Sequence, residues 1–120
     1  MHLGILTAAT VAIVCLAGAP AEASSQKTFS GVAAYYDTHY AGRTATGERY
    51  DPGKFTAAHR TLPFGTRLRV TDNRTHRSVL VVVNDRGPFN KGRVLDLSLA
   101  AAKALRMQER GIIRVTAAVE

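Results

Sequence analysis

The sequence predicts a mainly β domain, a small barrel or sandwich carrying one helix, and three observations predict it. From Phe29 onward brief apolar runs alternate with turns marked by Gly, Pro and Asp. Arg67-Leu68-Arg69-Val70-Thr71 switches polar and apolar with a period of two, as a strand with one wet face does. Helix signals occur once: Ser98 is a good N-cap before the run Leu99 to Arg110, and Gly111 is a natural stop.

Taken in order, Phe29 to Tyr36 is the first strand. Ala41 to Lys54, with Gly42, Gly47, Pro52 and Gly53, is a long excursion of loops, and such loops in a small domain usually carry function or are disordered. Arg67 to Thr71 is a strand, and Asp72 to Arg77 supplies the turn after it. Ser78 to Val83 is valine-rich without alternation, which predicts a strand buried on both faces. Val94 to Leu97 is another short strand, and Ile113, Val115, Ala117 and Val119 share one face of a last one. No internal repeat, low-complexity tract or heptad interrupts this pattern.

The first 23 residues read differently. Leu3 to Ala19 is apolar or small and uncharged, Pro20 follows, and Ala21-Glu22-Ala23 has the small-x-small form of a signal-peptidase site. Residues 1–23 are therefore expected to be a secretory leader cleaved after Ala23, with an uncleaved membrane anchor as the other reading. Residues 24–28 form a short polar lead-in, and 29–120 form one domain. Cys15, the single cysteine, lies in the leader behind the bulky Val14, so lipoprotein anchoring is not expected. A mature chain without a thiol has neither a disulfide nor a cysteine nucleophile, and its stability must come from packing. Export would place the domain in the periplasm or outside the cell.

Charge narrows the partners. The whole chain carries +7, and loss of the leader removes Glu22 but no Lys or Arg. The bases are scattered rather than gathered in a stripe, so nucleic acid is not the expected partner. An exported basic domain meets an anionic envelope surface instead, or carries its charge for solubility. Nothing in the pattern predicts self-association, and a monomer is expected.

Asp85 closes the apolar run Val79 to Val83, where a core strand reaches solvent. Partial burial favours the protonated form of a carboxyl, which general-acid work near neutral pH requires. Gly87-Pro88 fixes the turn that follows, and Asp85 could equally be a turn residue bonding nearby backbone N–H groups. His59, between Ala57-Ala58 and Leu62-Pro63-Phe64-Gly65, could orient a carboxylate or donate to a hydroxyl, or be structural. Asp96 is a lone acid among apolar neighbours and could cap the helix or assist catalysis. Tyr35, Tyr36 and Tyr40 could stack on sugar rings or fill one end of the core. His39 and His76 read as exposed loop residues. No spacing of His, Asp or Glu matches a metal site, so neither a metal nor another cofactor is expected.

These residues fall in five ordered blocks: Ala34-Tyr35-Tyr36; Gly42-Arg43-Thr44-Ala45-Thr46-Gly47-Glu48; Thr56 to Thr66 with His59 inside; Val83-Asn84-Asp85-Arg86-Gly87-Pro88-Phe89; and Leu95-Asp96-Leu97-Ser98. Together they closely resemble the rare lipoprotein A (RlpA)-like family, from about Ser30 to Val119. The resemblance implies a six-stranded double-psi β-barrel with one or two short helices, the barrel shared with expansins. It implies a lytic transglycosylase acting on peptidoglycan glycan strands, with the family's essential acid at Asp85 and its essential histidine at His59. Tyr36, Thr46, Arg86, Phe89 and Asp96 are the candidate glycan contacts within these blocks. The chemistry is compatible with one central carboxyl. Hydrolytic glycosidases generally use two, whereas intramolecular attack by the sugar's own 6-hydroxyl lets one residue act first as acid and then as base. The competing expectation is a wall-binding protein of expansin type that does not cut; an exported inhibitor or structural partner of a wall enzyme is a third, without a motif of its own.

Overall fold

The computed structural model describes residues 27–120. The expected leader, with Cys15 and the cleavage site, lies outside the described residues, and Thr28 of the expected lead-in already belongs to the first strand. Six strands and one helix follow: β1 (Thr28–Tyr35), β2 (Thr56–Ala58), β3 (Arg67–Asp72), β4 (Ser78–Asp85), β5 (Arg93–Leu97), α1 (Leu99–Ala104) and β6 (Ile113–Val119). They close into a barrel in the order β1-β5-β2-β4-β3-β6. The pairs β1/β5 and β2/β4 are parallel and the other four are antiparallel. This is the double-psi β-barrel that the resemblance implies, with one short helix.

Closure explains the patterning. A barrel wall has one face inside and one outside, so inward side chains recur at every second residue. Leu68 and Val70 on β3, Val81 and Val83 on β4, Leu95 and Leu97 on β5, and Val115 and Ala117 on β6 are all fully buried. Each fully buried large aliphatic contributes about 1.5–3 kcal/mol from apolar transfer.

Three expectations need correction here. The valine-rich β4 is not buried on both faces: Val79, Val81 and Val83 point in, Leu80 is half-buried, and Val82 is 37% exposed. The helix was expected to reach Arg110 but ends at Ala104. Leu105 and Met107 are both fully buried, and residues two apart cannot share one helix face. The chain therefore leaves the helix at Leu105, passes through Arg106 at φ 54°, and turns again at Gly111. β2 was not expected to be a strand at all. Thr-Ala-Ala has little strand propensity of its own, and it is held extended by β4 on one side and β5 on the other.

Two β-bulges shape the wall. On β4, Ala57 pairs with Val83 but the next residue, Ala58, pairs with Asp85, leaving Asn84 as the extra residue. On β5, Val94 is the extra residue opposite the Val32–Ala33 step of β1. Gly31 makes room for it, since a Cβ there would lie 2.6 Å from a Val94 methyl.

Candidate active site

The first bulge decides where Asp85 points. Val83 faces the core, so strict alternation would send Asn84 outward and Asp85 inward. The extra residue shifts Asp85 into register with Ala58, whose neighbour Ala57 faces the core, and so onto the outer wall. The pairings Ala34–Asp96, Asp96–Ala58 and Ala58–Asp85 then set four residues in one row across β1, β5, β2 and β4. Two alanines alternate with two carboxylates along this outer row. Two strand spacings separate the Asp85 and Asp96 Cα atoms, about 9.5 Å.

The Asp85 carboxylate is half-buried and has three donors. Oδ1 accepts the backbone N–H groups of Ala45 and Arg86, both at 2.8 Å, and Oδ2 accepts a short hydrogen bond from the Tyr36 hydroxyl. Only Arg86 is local: Tyr36, just past β1, lies 49 positions from Asp85, and Ala45 comes from the excursion between β1 and β2. That excursion is ordered: Arg43 and Arg49 form a bridge, and Thr44 and Tyr50 donate to the carbonyls of Glu48 and Gly42. The small hairpin so formed lays its tip on the acid.

Tyr36 is held by aromatic packing. Its ring stacks on Tyr50 at 4.3 Å between centroids, and Tyr40 leans on both. Tyr50 is buried, and its hydroxyl accepts the N–H of Leu99, an unsatisfied donor at the start of α1. Burial, then the hydrogen bond and charge of Asp85, then the charge of Asp96, push the Tyr36 hydroxyl well above the ordinary tyrosine range. It therefore stays a donor at any physiological pH. Tyr50 was not singled out from sequence; a tyrosine in a polar, glycine-marked loop was the signal.

Asp96 lies in the same row but is occupied, its Oδ1 bonded to Arg93 at 2.5 Å. It does not cap the helix; Ser98 does, as expected, accepting from Ala101 N–H and also from Thr56 N–H.

His59 stands beside Asp85 through the backbone, its N–H donating to the Asp85 carbonyl at 3.1 Å. Among the described residues no hydrogen bond joins the two side chains. The imidazole Nδ1 accepts the N–H groups of Thr61 and Leu62, both at 3.1 Å, and the ring packs edge-on against Phe29. Nε2 is therefore the protonated nitrogen. Burial, and then the charges of Arg60 and Arg86, hold the His59 pKa below the usual histidine value, so the ring is a neutral donor near pH 7.

The remaining candidates divide. Arg86 turns its guanidinium to the carbonyls of His59 and Leu62, at 3.2 and 2.8 Å, and over the Phe64 ring, so it clamps the histidine turn. Thr46 lies beside Ala45 at the hairpin tip, bonded to Thr44 and Glu48. Phe89, past the cis Gly87–Pro88 bond, is 78% exposed. Among the described residues no cluster of His, Cys, Asp or Glu could hold a metal ion.

Residues 28–117 match the family model described as lytic transglycolase. A probable endolytic peptidoglycan transglycosylase RlpA of Nostoc sp. is 55% identical over 95 residues, covering 77% of this chain and 26% of that protein. The endolytic peptidoglycan transglycosylase RlpA of Neisseria meningitidis is 44% identical over 97 residues, covering 80% of this chain and 41% of that one. The chain thus spans well under half the length of these relatives. Among solved structures, a mutant Clavibacter michiganensis expansin in complex with cellohexaose superposes with TM-score 0.62 at 24% identity, over 78% of this chain and 50% of that one. A Streptomyces papain inhibitor does so with the same score and identity, over 78% of this chain and 96% of its own. At that identity both speak for the barrel alone. With three quarters of its length matched by the family model and close sequence relatives of one kind, this chain belongs to the lytic transglycolase family, as an RlpA-like double-psi β-barrel.

Proposed function

We propose that this chain is a peptidoglycan lytic transglycosylase domain that cleaves the β-1,4 bond between N-acetylmuramic acid and N-acetylglucosamine and leaves a 1,6-anhydro end. The observation that carries the reading is Asp85 itself, set on the outer wall by the Asn84 bulge and, among the described residues, paired with no cation. The names of the sequence relatives support the substrate class.

The two oxygens of Asp85 suit different jobs. Oδ1 is fixed by two backbone donors, whereas Oδ2 has one partner, a hydroxyl that can rotate. Oδ2 is thus the oxygen that exchanges a proton with the glycan. Protonated Asp85 gives its proton to the glycosidic oxygen as the bond to C1 breaks. The sugar's 6-hydroxyl then bonds to C1 and returns its proton to the same carboxylate, so no water is consumed and the acid is regenerated. Hydrolysis would call on a second free carboxylate. Asp96 is in the same row as Asp85 but is engaged by Arg93, which favours the single-acid route. Neutral His59 fits a substrate-holding donor through Nε2 rather than a charge that stabilises a cationic transition state. Tyr36, Thr46 and Phe89 line the approach as glycan contacts, and Arg86 supports the histidine turn. This function requires export to the periplasm or beyond, where a monomer would meet the cell wall.

The test is a digest of purified, amidase-treated sacculi read by mass spectrometry, with Asp85→Asn in parallel. Wild type should release anhydro-ended fragments, and the variant should lose about 10²–10⁴-fold in rate. Reducing ends in place of anhydro ends would replace the mechanism with hydrolysis. A folded wild type that binds sacculi and releases nothing would replace it with wall binding of expansin type, the reading that exposed Phe89 favours.

A further inference from the structure

A second region carries charge that the surroundings of Asp85 do not use. Where the β3–β4 turn meets the segment between α1 and β6 lies a cavity of about 430 Å³ lined by Arg74, Arg106, Gln108, Glu109 and Arg110. Three arginines and one glutamate are among its lining residues. Arg110 is fixed from below: its Nη2 bonds Asp72 Oδ2 at 2.6 Å, and the Asp72 side chain is 1% exposed. The same carboxylate accepts the Arg74 N–H at 2.9 Å, so one buried acid organises two of the three arginines. Arg106 reaches the rim through a left-handed backbone at φ 54°, a conformation unfavourable for a non-glycine residue. Among the described residues the Arg74 and Arg106 guanidinium groups have no ion pair or hydrogen bond, so their donors are available.

We propose that this pocket binds a phosphate group, as a site separate from Asp85 and its partners. A guanidinium presents paired N–H donors that match two oxygens of an oxyanion. Three of them, drawn from two chain segments, can serve the several oxygens of a tetrahedral phosphate, whereas a planar carboxylate offers two. The volume falls in the range of ligand pockets and admits a phosphate with a glycerol- or sugar-sized attachment. The basic balance of the sequence thereby acquires a place on the molecule. The phosphate could belong to a polyol-phosphate polymer of the wall or to a phospholipid headgroup. Tyr35, next in the chain to Tyr36, donates to the Gln108 carbonyl at 3.0 Å, so one rim of the pocket is tied to the end of β1.

The test is calorimetric titration of the full chain with inorganic phosphate at constant ionic strength. It compares wild type, the double variant Arg74→Gln/Arg106→Gln and the charge-matched Lys27→Gln/Lys103→Gln. Wild type and the lysine variant should bind saturably, and the arginine variant should bind about tenfold more weakly or worse, having lost two charge-assisted partners. Arg110 is left in place because its loss would unpair Asp72. Absence of saturable binding, or equal weakening in the lysine variant, would overturn the proposal. Soluble glycerophosphodiester and vesicles of phosphatidylglycerol in phosphatidylcholine then identify the source, since a response to either alone assigns it. Asp85→Asn should bind phosphate as wild type does, which keeps this result separate from that of the proposed catalysis.

Discussion

Two aspartates end neighbouring strands of this barrel, and they are treated in opposite ways. Asp72, at the end of β3, is buried completely and takes a guanidinium, Arg110, as its partner. Asp85, at the end of β4, is half-buried and takes a hydroxyl and two backbone N–H groups, with no cation. Burial pushes the Asp72 carboxyl up, but the hydrogen bond from Arg110, those from Arg74 and Thr75, and the Arg110 charge outweigh it and hold the pKa below the ordinary value. A carboxylate so paired is committed to its ionised form and to the fold. One whose outer oxygen answers only to a rotatable hydroxyl is available for exchange. A carboxylate at the end of a barrel strand therefore does chemistry or holds structure according to what the next segment brings to it.

The sharpest way to break the comparison is to neutralise each acid in turn. Asp85→Asn should abolish glycan cleavage while the melting temperature stays near that of wild type. Asp72→Asn should do the reverse, costing about 3–5 kcal/mol in denaturant unfolding because Arg110 is left partly buried and unpaired, while activity per folded molecule persists. If both variants lost stability alike, Asp85 would be a structural turn residue.

Acid titration sharpens the same contrast. Because its folded pKa is depressed, Asp72 stabilises the fold above the ordinary carboxyl pKa, and that contribution is lost as pH falls through the lowered value. The acid unfolding limb of wild type should therefore be steeper than that of Asp72→Asn.

Tyr36→Phe probes the rotatable partner. It should keep the stack on Tyr50 and the fold, yet change cleavage about tenfold and shift the pH profile, since Asp85 Oδ2 loses its donor. An unchanged profile would mean that the hydroxyl only fills space.

The smallest effect belongs to His59. Its folded pKa is depressed, so protonation favours the unfolded chain, and stability should decline as pH falls below the ordinary histidine value. His59→Asn should flatten that decline in a melting-temperature series across the same range.

Much of this was legible in the chain, element by element. The alternation of β3, the face shared by Ile113, Val115 and Ala117, and the Ser98 cap follow from periodicity and local hydrogen-bonding chemistry, and all three stand in the structure. The motif blocks carried the barrel and pointed to Asp85 as the acid. What could not be read depends on partners distant in sequence. Thr56–Ala58 becomes a strand only because β4 and β5 flank it. The helix stops at Ala104 because Leu105 and Met107 must both enter a core that other strands enclose. The Tyr36 hydroxyl reaches Asp85 across 49 positions, a contact made by the closed barrel and not along the chain.

The sequence by itself determined which residue types were on hand: alternating apolar residues for a closed wall, one acid after a valine run, tyrosines beside a glycine-marked loop, and an excess of arginine. Tertiary structure alone decided that Asn84 is the bulged residue, and so that Asp85 lies on the outer wall in register with Ala58. It also decided that the Ala45 hairpin tip reaches the acid across 40 positions, and that Arg74, Arg106 and Arg110 converge. The physical reason is common to all three. Periodicity and capping act between near neighbours, whereas bulges, long-range donors and convergent charges are set by register between strands, and register is fixed only when the barrel closes.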